Sequence, residues 1–235
     1  MRRVFVDSID GSEATVTGRP AHHLSRVARL RPGEHVEVSD QQTAYRAVTI
    51  ACSAAEVRFR VREPLPSPRP ARLDVSLAII KFSRFDWAVE KLTEIGVRSV
   101  TPLEAGRCDR RLVRAASRRV ERWSRIAVEA AQQSRHLAAP AVNPPLAFEA
   151  AVHSKGTRGG ILADPGGEAV ARACERGSTS LLVGPEGGWT STEVDLATKH
   201  GFRPACLGTS ILRSETAAVS MAAVITSQHD LRSAQ

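Results

Sequence analysis

The stretch Pro64-Leu65-Pro66-Ser67-Pro68-Arg69-Pro70 places a proline at every second position. Proline lacks a backbone N–H and fixes φ near −65°, so neither a helix nor an inner strand continues through such a run. It favours an extended, semi-rigid spacer. The spacer divides the 235-residue chain into residues 1–70 and residues 73–235, and the hydrophobic pattern changes across it.

Before the prolines the apolar residues come in short runs. Arg3–Val6, His35–Ser39, Ala44–Ala51 and Glu56–Arg62 are rich in Val, Thr, Phe and Ile and partly alternate with polar residues, the period of a strand with one face buried. Arg31-Pro32-Gly33-Glu34 is a turn signal, and His22–Leu30 reads as one short helix. This part is expected to form a small β-barrel. After the prolines, strand-like runs alternate with helical stretches. Leu73–Ile80 precedes a helix over 85–95, and Ser99–Leu103 a helix over 112–133. Gly160–Ala163 precedes one over 168–176, Thr179–Val183 one over 192–200, and Pro204–Leu207 one over 215–228. That order predicts an α/β domain with a mainly parallel sheet, whose ligands bind in loops beyond the carboxyl ends of strands.

Composition narrows the function classes. A hydrophobic fraction of 42% and a charged fraction of 25% are ordinary for a globular protein. No apolar run approaches the roughly 18 residues of a membrane span, and the N-terminus has no long apolar core of a secretory signal. No membrane and a cytoplasmic location are therefore expected. Cys52, Cys108, Cys174 and Cys206 are far apart, with no CxxC pair, so they read as reduced thiols and no metal is expected.

The net charge of +8 favours a polyanionic partner, and its placement is informative. Leu112, Ala116, Val120, Trp123, Ala127 and Ala130 recur at helical spacing as one apolar face. Arg111, Arg114, Arg118, Arg122 and Arg125 form a second stripe. Between Arg107 and Arg135 nine arginines stand against three acids. A solvated face usually mixes signs, and this one does not. RNA contact through Arg107, Arg111, Arg114, Arg118 and Arg135 is the sharper reading, plain solvent exposure the blander one. Arg3, Arg26, Arg29 and Arg31 are expected to extend this RNA-contacting patch into the first part.

Residues 181–188 read Leu-Leu-Val-Gly-Pro-Glu-Gly-Gly, an apolar strand running into three glycines and a proline. Glycine lets backbone approach a ligand closely and allows positive φ, and by itself such a strand end reads equally as a tight turn. No GK[ST] follows, and the spacing is not GxGxxG, so neither a nucleoside triphosphate nor a dinucleotide is the natural ligand. Thr190 or Ser191 can cap the next helix, with Glu193 near its start. A second strand ends at Leu207, followed by a loop and a helix that opens near Ser214; Glu215 suits the positive end of that helix.

These two motifs carry a family resemblance. Gly184-Pro185-Glu186-Gly187-Gly188 and Leu207-Gly208, continued by Ile211-Leu212-Arg213-Ser214-Glu215-Thr216-Ala217, resemble the 16S ribosomal RNA uracil-N3 methyltransferases, the RsmE family of the SPOUT superfamily. Supporting matches are Lys91 to Val97, Arg122-Trp123, Glu129 to Ser134, and His23-Leu24 with Val27 and Arg29-Leu30, in family order along the chain. Trp189 departs from the Phe often found there. The resemblance implies a C-terminal SPOUT domain with a deep trefoil knot, a PUA-like N-terminal barrel that helps hold RNA, and a homodimer with active sites near the subunit interface. It implies S-adenosyl-L-methionine as cofactor and 16S rRNA of the small ribosomal subunit as partner and substrate.

On this reading the cofactor lies among three loops: Leu162-Ala163-Asp164, then Val183, Gly184, Pro185, Gly187 and Gly188, then Leu207, Gly208, Ile211, Leu212, Thr216 and Ala217. Uracil N3 is a poor nucleophile until its imide proton leaves, and a fixed cation stabilises the charge that spreads onto the flanking carbonyl oxygens. Arg213 is the candidate cation, and cofactor carboxylate or RNA phosphate are its other possible partners. Glu186, Glu215 or bulk water can take the proton, and Glu186 also reads as a hydrogen-bonding loop residue. A non-catalytic ribosome-assembly protein, or a SPOUT enzyme acting on another RNA atom, are the rival functions.

Overall fold

The computed structural model describes residues 2–66, 72–154, 160–174 and 179–232. Residues 67–70 of the proline run, and 175 and 176 of the helix expected over 168–176, lie outside them. The chain forms two units, Met1–Arg69 with Val128–Ala139, and Pro70–Ala127 with Pro140–Gln235.

In the first unit the elements are β1 (Arg3–Phe5), β2 (Ser8–Asp10), β3 (Glu13–Thr17), α1 (Gly18–His22) leading into a wider helical turn at His23–Val27, β4 (His35–Ser39), β5 (Ala44–Cys52) and β6 (Glu56–Pro64). They make one sheet in the order β1-β4-β5-β6-β3-β2, antiparallel except for the parallel β1–β4 pair. Alternation sets the faces: along β6, Val57 and Phe59 are fully buried while Glu56, Arg58 and Arg60 face out. The Val6 amide donates to Ser39 O at 2.9 Å and the next amide, Asp7, to Thr15 O at 2.9 Å. Two successive residues thus reach β4 and β3, near opposite ends of the sheet, so the sheet curls on itself. The turn read at residues 31–34 is present, with Gly33 at φ +88° and Glu34 N–H on Arg31 O.

The later segment 128–139 joins this unit through polar contacts. Ser39 Oγ donates to Leu137 O at 2.7 Å, and Arg3 Nη1 to Arg135 O at 2.7 Å. Arg3 also pairs with Glu37 at 2.9 Å and is only 7% exposed. This corrects the expectation that Arg3 adds to an RNA-facing surface: its guanidinium is buried and engaged by a carboxylate and a carbonyl.

In the second unit the order is β7 (Asp74–Ala78), α2 (Phe82–Ile95), β8 (Ser99–Glu104), α3 (Arg110–Ala116), α4 (Val120–Gln133, which continues into the first unit), β9 (Ala141–Val142), β10 (Leu146–Ala147), α5 (Phe148–Ser154), β11 (Gly160–Ala169), α6 (Val170–Cys174), β12 (Ser180–Val183), α7 (Ser191–Lys199), β13 (Arg203–Cys206) and α8 (Ser214–Arg232). The sheet runs β10-β8-β7-β12-β11-β13 with β9 beside β8, and every pair is parallel. This is the mainly parallel α/β sheet expected from the alternation. β7 and β12 are buried along their whole length, as strands covered on both faces must be. From β7 the chain steps outward to β8; it re-enters the sheet on the other side of β7 at β11, steps inward to β12 beside β7, and then passes back beyond β11 to β13. Such a reversal opens a crevice at the carboxyl ends of the strands.

Three local differences from the sequence pattern stand out. The helix expected over 112–133 is two, α3 and α4, separated by a tighter turn at Ser117–Arg119. Trp123 is nonetheless fully buried, its ring 4.3 Å from that of Phe85 and its indole N–H on Asp86 Oδ1 at 2.9 Å. Glu168 and Ala169, expected in a helix, lie in β11 and pair with Ala205 and Cys206 after a bulge. Gly167 allows this, because a Cβ there would stand 2.2 Å from the backbone of Pro204. Lastly, β9 and β10 are two residues each, too short to show a period.

Candidate cofactor cleft

The loops that leave β11, β12 and β13 converge on a cleft of about 140 Å³. Its walls include Ala163 and Asp164 from the first loop, Val183, Gly184, Pro185, Glu186 and Gly188 from the second, and Leu207, Gly208, Ile211, Leu212 and Ala217 from the third. Three segments separated in sequence by up to about fifty residues thus share one cavity, as a sheet with parallel strands allows.

The second loop is held in shape from several sides. Gly188 N–H donates to Pro185 O at 2.8 Å, and Gly188 sits at φ +71°, a conformation that favours glycine. The Trp189 ring lies against Gly184, where a Cβ would be 2.9 Å from Cε2. The indole N–H donates to Ala163 O at 2.9 Å, fastening the loop to the end of β11. Thr190 and Glu193 form a full capping box at the start of α7: Thr190 Oγ1 accepts from Glu193 N–H at 3.2 Å, and Glu193 Oε2 accepts from Thr190 N–H at 2.8 Å. The other oxygen, Glu193 Oε1, accepts from Gly106 N–H at 2.8 Å, and Arg107 Nη1 donates to Gly187 O at 2.6 Å. The loop after β8 therefore braces the glycine loop.

The third loop is apolar and open. Ile211 is 88% exposed and Leu212 38%, and Gly208 has φ +145°. Ser214 and Glu215, which open α8, are buried. Arg213 is exposed, and its side chain has no hydrogen bond or ion pair among the described residues. Glu215 Oε2 is buried without a partner among the described residues. Glu215 Oε1 lies 3.6 Å from Arg84 Nε, and Arg84 Nη1 is paired with Glu186 Oε1.

Most of the residues read as a cofactor site line this cleft. Leu162 does not: it is fully buried in the core, and its neighbour Ala163 takes the wall position, because successive residues of a strand face opposite ways. Gly187 and Thr216 lie next to wall residues without forming the wall. Asp164 Oδ1 is engaged by Gly166 N–H at 2.7 Å. Among the arginines, Arg111, Arg114 and Arg118 are exposed on α3 and the turn after it, whereas Arg107 is occupied by Gly187 O. Arg26, Arg29 and Arg135 are exposed in the first unit. Arg122, read as part of the stripe, pairs with Asp86 at 2.8 Å. Sequence reasoning missed Arg84. The available signal was a basic residue in the first turn of a helix that has no acid there, against the usual preference of helix N-termini.

The parallel sheet and its cleft lie within residues 67–226, which match the family model of the RNA methyltransferase domain. The chain belongs to the ribosomal RNA small subunit methyltransferase E family. It is 34% identical to that enzyme of Synechocystis sp. over 227 residues, covering 87% of this chain and 70% of the relative. With the Bacillus subtilis enzyme it is 28% identical, covering 98% of each chain. Among solved structures, the ribosomal RNA small subunit methyltransferase E of Neisseria gonorrhoeae bound to S-adenosyl methionine superposes with a TM-score of 0.82 at 27% identity, covering 97% of both chains. A putative methyltransferase of Legionella pneumophila in complex with the same cofactor superposes at 0.80 with 25% identity, covering 99% of this chain and 97% of that one.

Proposed function

We propose that the protein transfers a methyl group from S-adenosyl-L-methionine to N3 of a specific uridine in 16S rRNA of the small ribosomal subunit, acting in the cytoplasm. The observation that carries this reading is the convergence of the two motif loops, near 184 and 208, on one cleft lined by Glu186, with Arg213 and Glu215 adjacent in sequence to the lining residues Leu212 and Ser214. The residues present suit the cofactor. Val183, Leu207, Ile211 and Leu212 offer apolar walls for a purine ring, and Gly184, Gly188 and Gly208 leave room for close backbone approach. When bound, S-adenosyl-L-methionine supplies a methyl group on a sulfonium sulfur that departs as a neutral thioether.

The chain supplies the rest. Arg213, exposed beside Leu212, would stabilise the charge that spreads onto the uracil carbonyl oxygens as the N3 proton leaves, because guanidinium stays charged throughout. Glu215 is the better candidate than Glu186 to take that proton. It is buried, with one oxygen unengaged among the described residues, while the Glu186 side chain is 57% exposed and bound to Arg84. Balance is kept: N3 loses its proton to a carboxylate and gains the methyl group.

The remaining family features follow as part of the same proposal. The curled six-stranded sheet of the first unit supports a PUA-like barrel over residues 1–70. For the knot, the support is that β13 lies at the sheet edge beyond β11, while α8 packs against α2 and β7, so residues 207–213 must cross back over the cleft. The exposed apolar Ile211 and Leu212 support a homodimer with its interface near the site. RNA is held by Arg111, Arg114 and Arg118, with Arg26, Arg29 and Arg135. Methylation of 30S particles in vitro, read by mass spectrometry of the rRNA, tests the reading. Wild type should add one 3-methyluridine and Arg213→Ala should lose about 10²–10³ in kcat, as removal of a charge-stabilising donor does. Near-normal activity of Arg213→Ala rejects its role, and a methyl group on any other atom rejects the assignment to uracil N3.

A further inference from the structure

Arg84 stands in the first turn of α2, just beyond the carboxyl end of β7, and its guanidinium meets two carboxylates. Nη1 pairs with Glu186 of the 184–188 loop, and Nε lies 3.6 Å from Glu215 Oε1 at the start of α8. Both belong to segments that wall the cleft, which the loop after β11 completes. Stability accounts for only part of the placement of Arg84: it compensates the buried Glu215 carboxylate, but its other partner adds little. The α2 N-terminus has no acid in its first turn and no side-chain cap, so a cation there opposes the helix dipole. The Glu186 side chain is 57% exposed, and ion pairs of that kind add little to folding. What the pair does achieve is geometric. A planar fork with donors on two sides can hold two carboxylates at a fixed separation. Because Glu215 Oε1 faces Arg84, Oε2 is left buried and unengaged among the described residues.

We propose that Arg84 is a positioning residue that clamps the glycine loop to the start of α8 and so sets the width of the cleft for the methyl donor. This rests on the reading that the cleft holds S-adenosylmethionine. The test is isothermal titration of S-adenosylmethionine into the full-length protein and into Arg84→Ala, Arg84→Lys, Glu186→Gln and the double variant Arg84→Ala/Glu186→Gln, each with a thermal melt. Arg84→Ala should bind about tenfold more weakly at a temperature where its melt shows it fully folded, within the range found for residues in direct contact, its melting temperature falling because Glu215 loses a partner. The double variant should bind no more weakly than Arg84→Ala, since the clamp can be lost only once. Arg84→Lys, which keeps the charge without the fork, should fall between Arg84→Ala and wild type. Wild-type affinity in Arg84→Ala, or effects that multiply in the double variant, overturn the clamp. If Arg84→Ala does not fold, wild-type affinity in Arg84→Lys overturns it instead. Failure of the wild-type protein to bind the donor is a different result and removes the proposed function itself.

Discussion

Gly184→Ala tests whether the glycine loop is built around Trp189. The added Cβ would stand 2.9 Å from Cε2, 3.1 Å from Cδ2 and 3.2 Å from Cζ2 of that indole. Ordinary carbon contacts begin at about 3.5 Å, so the ring must retreat by about half an ångström. It is poorly free to do so: its N–H is bonded to Ala163 O at 2.9 Å, and its ring packs on Phe148 with centroids 5.2 Å apart. Overpacking a well-filled site costs about 1–3 kcal/mol, and losing the indole hydrogen bond adds about 1 kcal/mol. The sum, about 2–4 kcal/mol, corresponds to a fall in Tm of roughly 4–16 °C for a chain of this size. Differential scanning calorimetry measures it. Because Gly184 and Trp189 both line the cleft, titration of S-adenosylmethionine should weaken in the same variant. A loss below about 0.5 kcal/mol, the level of an ordinary surface substitution, with unchanged donor affinity would refute the argument that the contact with Trp189 requires glycine at this position.

Four further outcomes are expected. Replacing Arg111, Arg114 and Arg118 together by alanine should weaken RNA binding and flatten the log–log salt slope by about 2, at about 0.7 per phosphate contact on a single strand; filter binding across a salt series measures it, and an unchanged slope removes these residues from the interface. Thr190→Val breaks the capping box and should cost about 1 kcal/mol in denaturant unfolding, with little change if the box is dispensable. Alkylation should separate two thiols. Cys206 lines the cleft and should be shielded by S-adenosylmethionine, whereas burial, with Glu193 and Glu104 nearby, raises the Cys108 thiol above its usual value and keeps it protonated. Since the folded thiol of Cys108 holds its proton more tightly than the unfolded one, its contribution to stability is intact below about pH 9 and falls as pH rises above it. Cys108→Ser should soften that alkaline loss, as read by melts between neutral and high pH.

Sequence alone determined the elements whose signal is local. The parallel α/β order followed from apolar runs alternating with helical stretches, and the turn at residues 31–34 from its proline and glycine. The two motif loops were legible through their resemblance to the family's motifs, since a strand running into glycines reads by itself equally as a tight turn. What only the tertiary structure decided depends on residues far apart in the chain. The return of 128–139 to the first unit rests on Arg3 and Ser39 reaching carbonyls about a hundred residues away. The bulge that keeps Glu168 in a strand exists because Gly167 lies against Pro204. Which arginines are free could not be read from a stripe, since Arg3, Arg107 and Arg122 look like their neighbours until their acceptors are in place. Arg84 is the clearest case: its meaning comes from Glu186 and Glu215, about a hundred or more residues further on. Local patterns encode burial and backbone preference, whereas the partner of a charged side chain is fixed only when the sheet order brings the strand ends together.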